Sequence, residues 1–261
     1  MPVPMGSAGA DPIGNTVRPI QKVAEMTTDV SQLKKAIGKA DLCELMSALF
    51  AFPQEKNLAT GLCDGTILSD VEGCIQDIAP SNVEPALAIQ ELQSFVGKDI
   101  DTMYENLRIG SSALFFAPGG FPPVWPFEGP FRFAAQHPTE YPTLFRSPVT
   151  LDVEKMMKTS GVTMANDRKE PCDSIWNEFS YLSYLFGKEA ERLFAEDVEG
   201  AQTWRSFADS FIEKHFSVWA LDFMSKTINE VVNCTHACGT EYASLARVGY
   251  ACINIISEKD E

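Results

Sequence analysis

The sequence is short of positive charge and of long apolar runs. It has 21 lysines and arginines against 36 aspartates and glutamates, which gives a formal net charge of -15. A nucleic-acid-binding protein needs a basic surface, and so does a protein that docks on anionic lipid, so the composition argues against both classes. No apolar run approaches the roughly 18–20 residues that a transmembrane helix requires.

A disulfide framework and a secretory signal are also missing. The seven cysteines are odd in number and irregularly spaced, unlike the paired cysteines of small secreted domains. Residues 1–17 lack the basic start and the apolar run of a signal peptide. We therefore expect a cytoplasmic protein with a flexible tail over residues 1–27.

Strict alternation of apolar and polar residues is scarce, whereas helical periodicity dominates. The sequence predicts one all-α domain over residues 28–257, with about eight to ten helices. Within it, we expect N-terminal helices over 28–116, a Pro- and aromatic-rich loop region over 117–149, and C-terminal helices over 150–257. The clearest helical patterns cover residues 29–52, 174–195, 201–229 and 230–256.

Residues 116–131, FAPGGFPPVWPFEGPF, interrupt this helical pattern. Proline lacks a backbone donor and fixes φ, so five prolines in this stretch predict neither a helix nor a strand. Aromatic residues are unusual in an exposed loop. The segment therefore either packs over the core or presents its rings as a binding surface.

Residues 170–186, EPCDSIWNEFSYLSYLF, predict an amphipathic helix. The apolar stripe of this helix consists of Ile175, Phe179, Leu182 and Phe186. Asp173 occupies the expected N-cap position, and Glu178 borders the apolar stripe. One interpretation is structural, with Asp173 as the cap and Glu178 paired with an arginine or lysine. The other is an acidic rim beside an apolar groove that binds a cationic peptide.

Residues 211–223, FIEKHFSVWALDF, place a histidine among aromatic side chains. Regular helical spacing predicts one face made of Phe211, His215, Val218 and Asp222. A lone histidine in such surroundings is more often a core residue than a catalytic base, although Asp222 could orient it. No serine or cysteine nucleophile has a matching local spacing, so the residues give no support for an enzyme.

Metal and nucleotide sites find little support. Residues 234–238 read CTHAC, but on a helix His236 points away from Cys234 and Cys238, so we expect no metal site. Neither the GxxxxGK[ST] phosphate loop nor a GxGxxG turn after a strand occurs.

Four segments together resemble the TorD/DmsD/NarJ-type family of chaperones for molybdenum-containing oxidoreductases. They are DLCELMSALFAFP (41–53), PFEGPF (126–131), EPCDSIWNEF (170–179) and FIEKHFSVWALDF (211–223). The chain departs from the family pattern at Ser174, where the family has histidine, at Gly129-Pro130-Phe131, which replaces Ser-Val-Tyr, and at the additional Cys172.

The resemblance implies an all-α chaperone, without enzymatic activity, that binds the twin-arginine leader peptide and the apo form of a molybdopterin-dependent oxidoreductase subunit. It also implies that the chaperone holds this client for cofactor insertion before export or assembly. A monomer or a domain-swapped homodimer is expected, with no cofactor of its own apart from weak GTP binding attributed to some members. The alternatives are an all-α adaptor for another amphipathic helix and a weak GTP-binding or GTP-hydrolysing protein.

The resemblance, the acidic excess and the aromatic loop lead to one candidate peptide-binding site. Carboxylates would read the arginines and aromatic rings would wall the groove. The predicted peptide-binding residues are Trp125, Pro126, Phe127, Glu128, Phe131, Glu170, Pro171, Asp173, Ser174, Glu178, His215 and Trp219.

Overall fold

The computed structural model describes residues 19–79, 86–116, 120–164, 170–233 and 239–258. The α-helices in these ranges are α1 (Pro19–Phe50), α2 (Asn57–Asp64), α3 (Thr66–Ile78), α4 (Ala86–Gln93), α5 (Ile100–Ser111), α6 (Glu128–Gln136), α7 (Pro148–Thr159), α8 (Ile175–Phe194), α9 (Val198–Phe211), α10 (Ser217–Asn233) and α11 (Thr240–Ser257). Two π-helical turns, Ser112–Phe116 and Ile212–Phe216, directly continue α5 and α9.

The prediction of a single all-α domain is confirmed. Because α9, the second π-helical turn and α10 form one continuous rod, the described part of the chain contains ten helical rods. It contains no strand, and its one isolated β-bridge joins Phe127 to Ser174 in antiparallel orientation. No helix in the described ranges is both long enough and apolar enough to cross a membrane.

In the core, α1 packs against both α8 and α3, and α8 also packs against α9. The long α11 packs against α10 and α4. The apolar stripe predicted for α8 is confirmed, since all four of its members are fully buried: Ile175, Phe179, Leu182 and Phe186. Gly161, after α7, has a φ of 81°, a left-handed conformation that ends a helix and suits glycine.

The first helix starts earlier than the sequence pattern predicts. It begins at Pro19, ten residues before the expected start at Asp29. Proline is well accommodated at the first helical position, and residues 20–27 contain no glycine or further proline to interrupt a helix. The remainder of the predicted tail, residues 1–18, lies outside the described residues.

The loop region over residues 117–149 contains a helix that the sequence analysis did not predict. α6 starts at Glu128, so that Pro130 is its third residue. A proline in the first turn costs no helical hydrogen bond, because the first backbone N–H groups have no partner within the helix. The expectation that residues 116–131 form no helix was therefore wrong for Phe116, which ends the first π-helical turn, and for Glu128 onward. Residues 120–127 are irregular as predicted.

The π-helical turn at Ile212–Phe216 changes which residues of the α9–α10 rod face the core. A π turn inserts one extra residue, so that buried side chains recur every four residues along this rod. The buried series runs through Phe211, His215, Trp219 and Phe223. The predicted face that joined His215 to Val218 and Asp222 was wrong, because Val218 and Asp222 are exposed.

Candidate functional site

The Pro-rich loop is fastened to the start of α8 through backbone hydrogen bonds. The N–H of Glu128 donates to the carbonyl of Asp173 at 2.8 Å, and the N–H of Ile175 donates to the carbonyl of Pro126 at 2.9 Å. These bonds bring the predicted segments 126–131 and 170–179 into contact. Together they place three carboxylates, Glu128, Asp173 and Glu178, in one buried group, which we call the carboxylate cluster; each is 0% exposed.

Asp173 binds the loop and α7, and it does not cap α8. Its Oδ2 atom accepts hydrogen bonds from the backbone N–H of Gly129 at 2.9 Å and from the hydroxyl of Thr150 at 3.0 Å. The other oxygen, Oδ1, has no hydrogen-bond partner. Burial raises the pKa of Asp173 to about 6, against the lowering effect of its two donors.

Ser174 is the N-cap of α8, so the prediction that Asp173 would fill this role was wrong. The Ser174 hydroxyl accepts a hydrogen bond from the backbone N–H of Asn177 at 3.2 Å. Serine is a favourable capping residue, and the one-residue difference arises because Asp173 turns toward the loop. The position at which the resembled family has histidine is thus a buried helix cap in this chain.

Glu128 links α6 to the π-helical turn between α9 and α10 through His215. One carboxylate oxygen lies 2.8 Å from His215 Nδ1, and the other accepts a hydrogen bond from Arg132 at 2.6 Å. The second ring nitrogen, Nε2, lies 3.3 Å from Oδ2 of Asp152 on α7, but not in hydrogen-bonding geometry. The expectation that Asp222 could orient His215 was wrong, since Glu128 does so from 87 residues away.

Glu178 has a tryptophan as its partner, and not the arginine or lysine that the structural interpretation expected. The indole Nε1–H of Trp219 donates to Oε2 of Glu178 at 2.9 Å, while Oε1 of Glu178 has no hydrogen-bond partner among the described residues. Burial first, and then the negative charge of Glu128, raise the pKa of Glu178 well above its ordinary value.

An exposed acidic rim, as predicted from Asp173 and Glu178, is absent from this part of the described structure. Both carboxylates are fully buried, because α6 and the loop cover the side of α8 that bears them. Helical spacing placed Glu178 at the border of the apolar stripe, but it could not show that another segment closes over that border.

The aromatic residues of the loop line a cavity of about 230 Å³. Its walls include Phe121, Pro123, Trp125, Phe131, Pro138 and Glu140. Trp125 and Phe131 are half-buried, whereas Pro126 and Phe127 are buried and do not line this cavity. We call this space the aromatic cavity; it is continuous with the core through Phe131, whose ring lies 5.6 Å from that of Trp219.

Two further residues of this cavity region were missed by sequence reasoning. Phe121 stacks on Tyr141 with ring centroids 4.0 Å apart and meets Trp125 edge-on at 6.3 Å. Phe121 and Tyr141 are 39% and 71% exposed, so both rings present surface to solvent. The sequence does show both residues as aromatics next to prolines. It could not show that they stack on each other, because they are twenty positions apart and meet only through the path of the loop.

Glu170 and Pro171 lie at a different place from the aromatic cavity. Glu170 accepts a hydrogen bond from the indole of Trp176, and the carbonyl of Pro171 accepts one from the Asn177 side chain at 3.1 Å. Both residues line a separate cavity of about 640 Å³ beside α7, together with Cys172. The predicted site is therefore divided into the buried carboxylate cluster, the aromatic cavity and this outer edge.

No group of three or more histidine, cysteine, aspartate or glutamate side chains suited to a metal ion occurs among the described residues. The CTHAC segment, residues 234–238, lies outside them. The expectation that the chain has no metal site therefore stays a prediction.

Replacing Asp173 by asparagine should change how stability depends on pH. The pKa of Asp173 is raised to about 6 in the folded chain, so folding favours the protonated carboxyl. This group therefore stabilises the folded wild-type chain fully below pH ~4, and that stabilisation is lost as pH rises through 6. Relative to wild type, Asp173→Asn should therefore gain about 2 kcal/mol of unfolding free energy between pH 4.5 and pH 8. Urea unfolding at both pH values measures this. The exposed Asp209→Asn on α9 serves as control, and an equal gain there would contradict the assignment.

Replacing Gly129 by alanine should destabilise the loop attachment. A Cβ atom at this position would overlap the Oγ atom of Ser147, which caps α7, and would lie 3.1 Å from Oδ2 of Asp173. We expect a loss of about 1–3 kcal/mol in unfolding free energy, as for other overpacked sites. Gly187→Ala on α8, where a Cβ meets no atom within 4 Å, is the matched control. Equal stability of both variants would show that the loop is loosely held.

Comparison with known proteins matches residues 83–225 of the chain to the family described as nitrate reductase delta subunit. This match covers more than half of the chain and includes the loop, the start of α8 and the π-helical turn that carries His215. No curated protein and no solved structure gives a significant match. The chain therefore belongs to the nitrate reductase delta subunit family, which is a family of molybdoenzyme maturation chaperones.

Proposed function

We propose that the chain binds the twin-arginine leader peptide of a molybdopterin oxidoreductase subunit and holds the apo form of that subunit in the cytoplasm. Cofactor insertion into the client would precede its export or assembly. The observation that carries the proposal is the aromatic cavity, whose half-exposed rings sit on a loop fastened to the helical bundle by buried carboxylates. Family membership supports a molybdoenzyme subunit as the partner.

The physical character of a leader peptide fits this surface. Such a peptide has a basic start followed by an apolar, helix-prone stretch, and a groove with aromatic walls accepts the apolar side chains. Aromatic residues dominate the binding energy of many interfaces because they bury large areas with few rotatable bonds. The net charge of -15 attracts the basic start of the peptide at long range.

We propose different roles for the predicted site residues according to how far each one is buried. Asp173, Ser174 and Glu178 are fully buried and act as positioning residues. Asp173 binds the N–H of Gly129, Ser174 caps α8, and Glu178 accepts a hydrogen bond from Trp219 on α10. Trp125 and Phe131, together with Phe121, would contact the peptide, because their rings line the cavity. In this proposal the chaperone acts as a monomer or a domain-swapped homodimer, by binding alone and without a cofactor of its own.

The proposal is tested by calorimetric titration of the purified chain with a synthetic twin-arginine leader peptide from a co-encoded molybdoenzyme. Saturable binding that weakens with the Lys-Lys form of the peptide is expected, since lysine cannot form the bidentate pair that arginine makes with a carboxylate. Trp125→Ala should weaken binding about tenfold or more, as for an interface hot spot. Phe194 is 80% exposed at the end of α8, so Phe194→Ala should leave the affinity for the peptide unchanged.

Two outcomes contradict the proposal. Absence of binding to either peptide would exclude the leader as ligand, and equal effects of Trp125→Ala and Phe194→Ala would exclude the aromatic cavity as its site. The thermal midpoint of each variant is measured in parallel, so that a loss of affinity in an unfolded sample is not taken as loss of a contact.

A further inference from the structure

The buried carboxylate of Glu128 is paired with a guanidinium group of the chain itself. Arg132 follows one helical turn later on α6 and contacts Oε1 of Glu128 at 2.6 Å. The Glu128 side chain is 0% exposed, whereas that of Arg132 is 40% exposed. The arginine is thus the part of the ion pair that faces solvent, on the helix that contributes Phe131 to the aromatic cavity.

A second carboxylate lies nearby and is exposed to solvent. Asp152 on α7 is 55% exposed and lies 3.3 Å from Nε2 of His215, whose other nitrogen contacts Glu128. His215 is 4% exposed, and its Nε2 atom has no hydrogen-bond partner although it points toward Asp152. Among the described residues, no lysine or arginine forms an ion pair with Asp152. The buried imidazole of His215 therefore lies between two carboxylates: the exposed Asp152, and Glu128, which is paired with Arg132.

We propose that Asp152 and Glu128 form a subsite for two guanidinium groups, and that Arg132 occupies the Glu128 half of it in the free chain. An arginine pair of the client would bind Asp152 directly and displace Arg132 from Glu128. This inference rests on the proposed function and specifies where the basic part of the peptide binds. The aromatic cavity, on the same helix as Arg132, then receives the adjoining apolar residues.

The physical basis is competition between an internal and an external ligand for one carboxylate. Glu128 must be paired, because a buried carboxylate without a cation or donor is costly. An internal arginine keeps it paired until a peptide arginine replaces it, and the apparent affinity is reduced by the fraction of time that the internal pair is closed. The fixed geometry of guanidinium toward carboxylate favours arginine over lysine in this exchange.

The test measures calorimetric affinity for the twin-arginine leader peptide and for the same peptide with Gln-Gln in place of the arginine pair. Removal of the internal competitor by Arg132→Gln should tighten binding of the arginine peptide about fivefold. Removal of the open carboxylate by Asp152→Asn should weaken it about fivefold. Neither substitution should change the affinity for the Gln-Gln peptide by more than about twofold, the scatter expected of surface charge changes.

The controls make the same charge changes elsewhere. Lys188→Gln removes a cation paired with Glu191 on α8, and Glu154→Gln removes a carboxylate paired with Lys158 on α7. Both should leave the affinity for the arginine peptide unchanged. Asp152→Asn preserves the pair between Arg132 and Glu128, so it tests the subsite even if Arg132→Gln lowers the stability of the fold.

The possible failures are distinguishable. A wild-type chain that binds neither peptide contradicts the proposed function as a whole. Binding of the arginine peptide that responds to Trp125→Ala but not to Asp152→Asn or Arg132→Gln contradicts the subsite alone. A weakening by Arg132→Gln in a folded sample would show that Arg132 supports the bound peptide, and would overturn its role as an internal competitor.

Discussion

The burial of three carboxylates side by side is the constraint on which the rest of the site depends. A carboxylate removed from water is costly, and neighbouring carboxylates raise one another's pKa. The cluster is tolerated because donors from several elements surround it: the N–H of Gly129, the hydroxyl of Thr150, the indole of Trp219, the imidazole of His215 and the guanidinium of Arg132. It can form only when the loop, α6, α7, α8 and α10 are all in position.

This dependence explains how an irregular, Pro-rich segment holds its aromatic rings in place. Residues 120–127 have almost no regular backbone pairing, apart from the bridge to Ser174 and one hydrogen bond from Val124 to Leu114. The order of the loop comes from Asp173 and Glu128 beneath it. Aromatic rings that are already in position before a ligand arrives lose little conformational entropy on binding. The buried carboxylate cluster, by holding the loop that carries these rings, therefore supports an apolar binding surface without contacting the ligand.

The sequence predicted those features that follow from local periodicity. The all-α class and the stripe of α8 were correct because a regular helix repeats its buried positions at known steps. The faces around His215 were wrong because a π-helical turn adds one residue that no composition signal marks. The partners of Glu128 and Glu178 could not be predicted, since His215 and Trp219 lie 87 and 41 residues away and meet them only through tertiary packing. Arg132 was accessible in principle, because it lies four residues after Glu128, but only once α6 is recognised as a helix.

Two of the three departures from the resembled family pattern, at Gly129 and at Ser174, have a physical explanation in the structure. Gly129 lies where a Cβ atom would collide with the Ser147 side chain, and Ser174 caps α8 from a fully buried position. Both substitutions therefore concern how the loop is attached to the bundle. Phe131, in the same altered tripeptide as Gly129, lines the aromatic cavity, whereas Trp125 and Phe121 lie outside the altered positions. If these aromatic rings contact the client peptide, the changes at Gly129 and Ser174 alter how the binding surface is held, and Phe131 places a phenyl ring in that surface where the family pattern has a tyrosine.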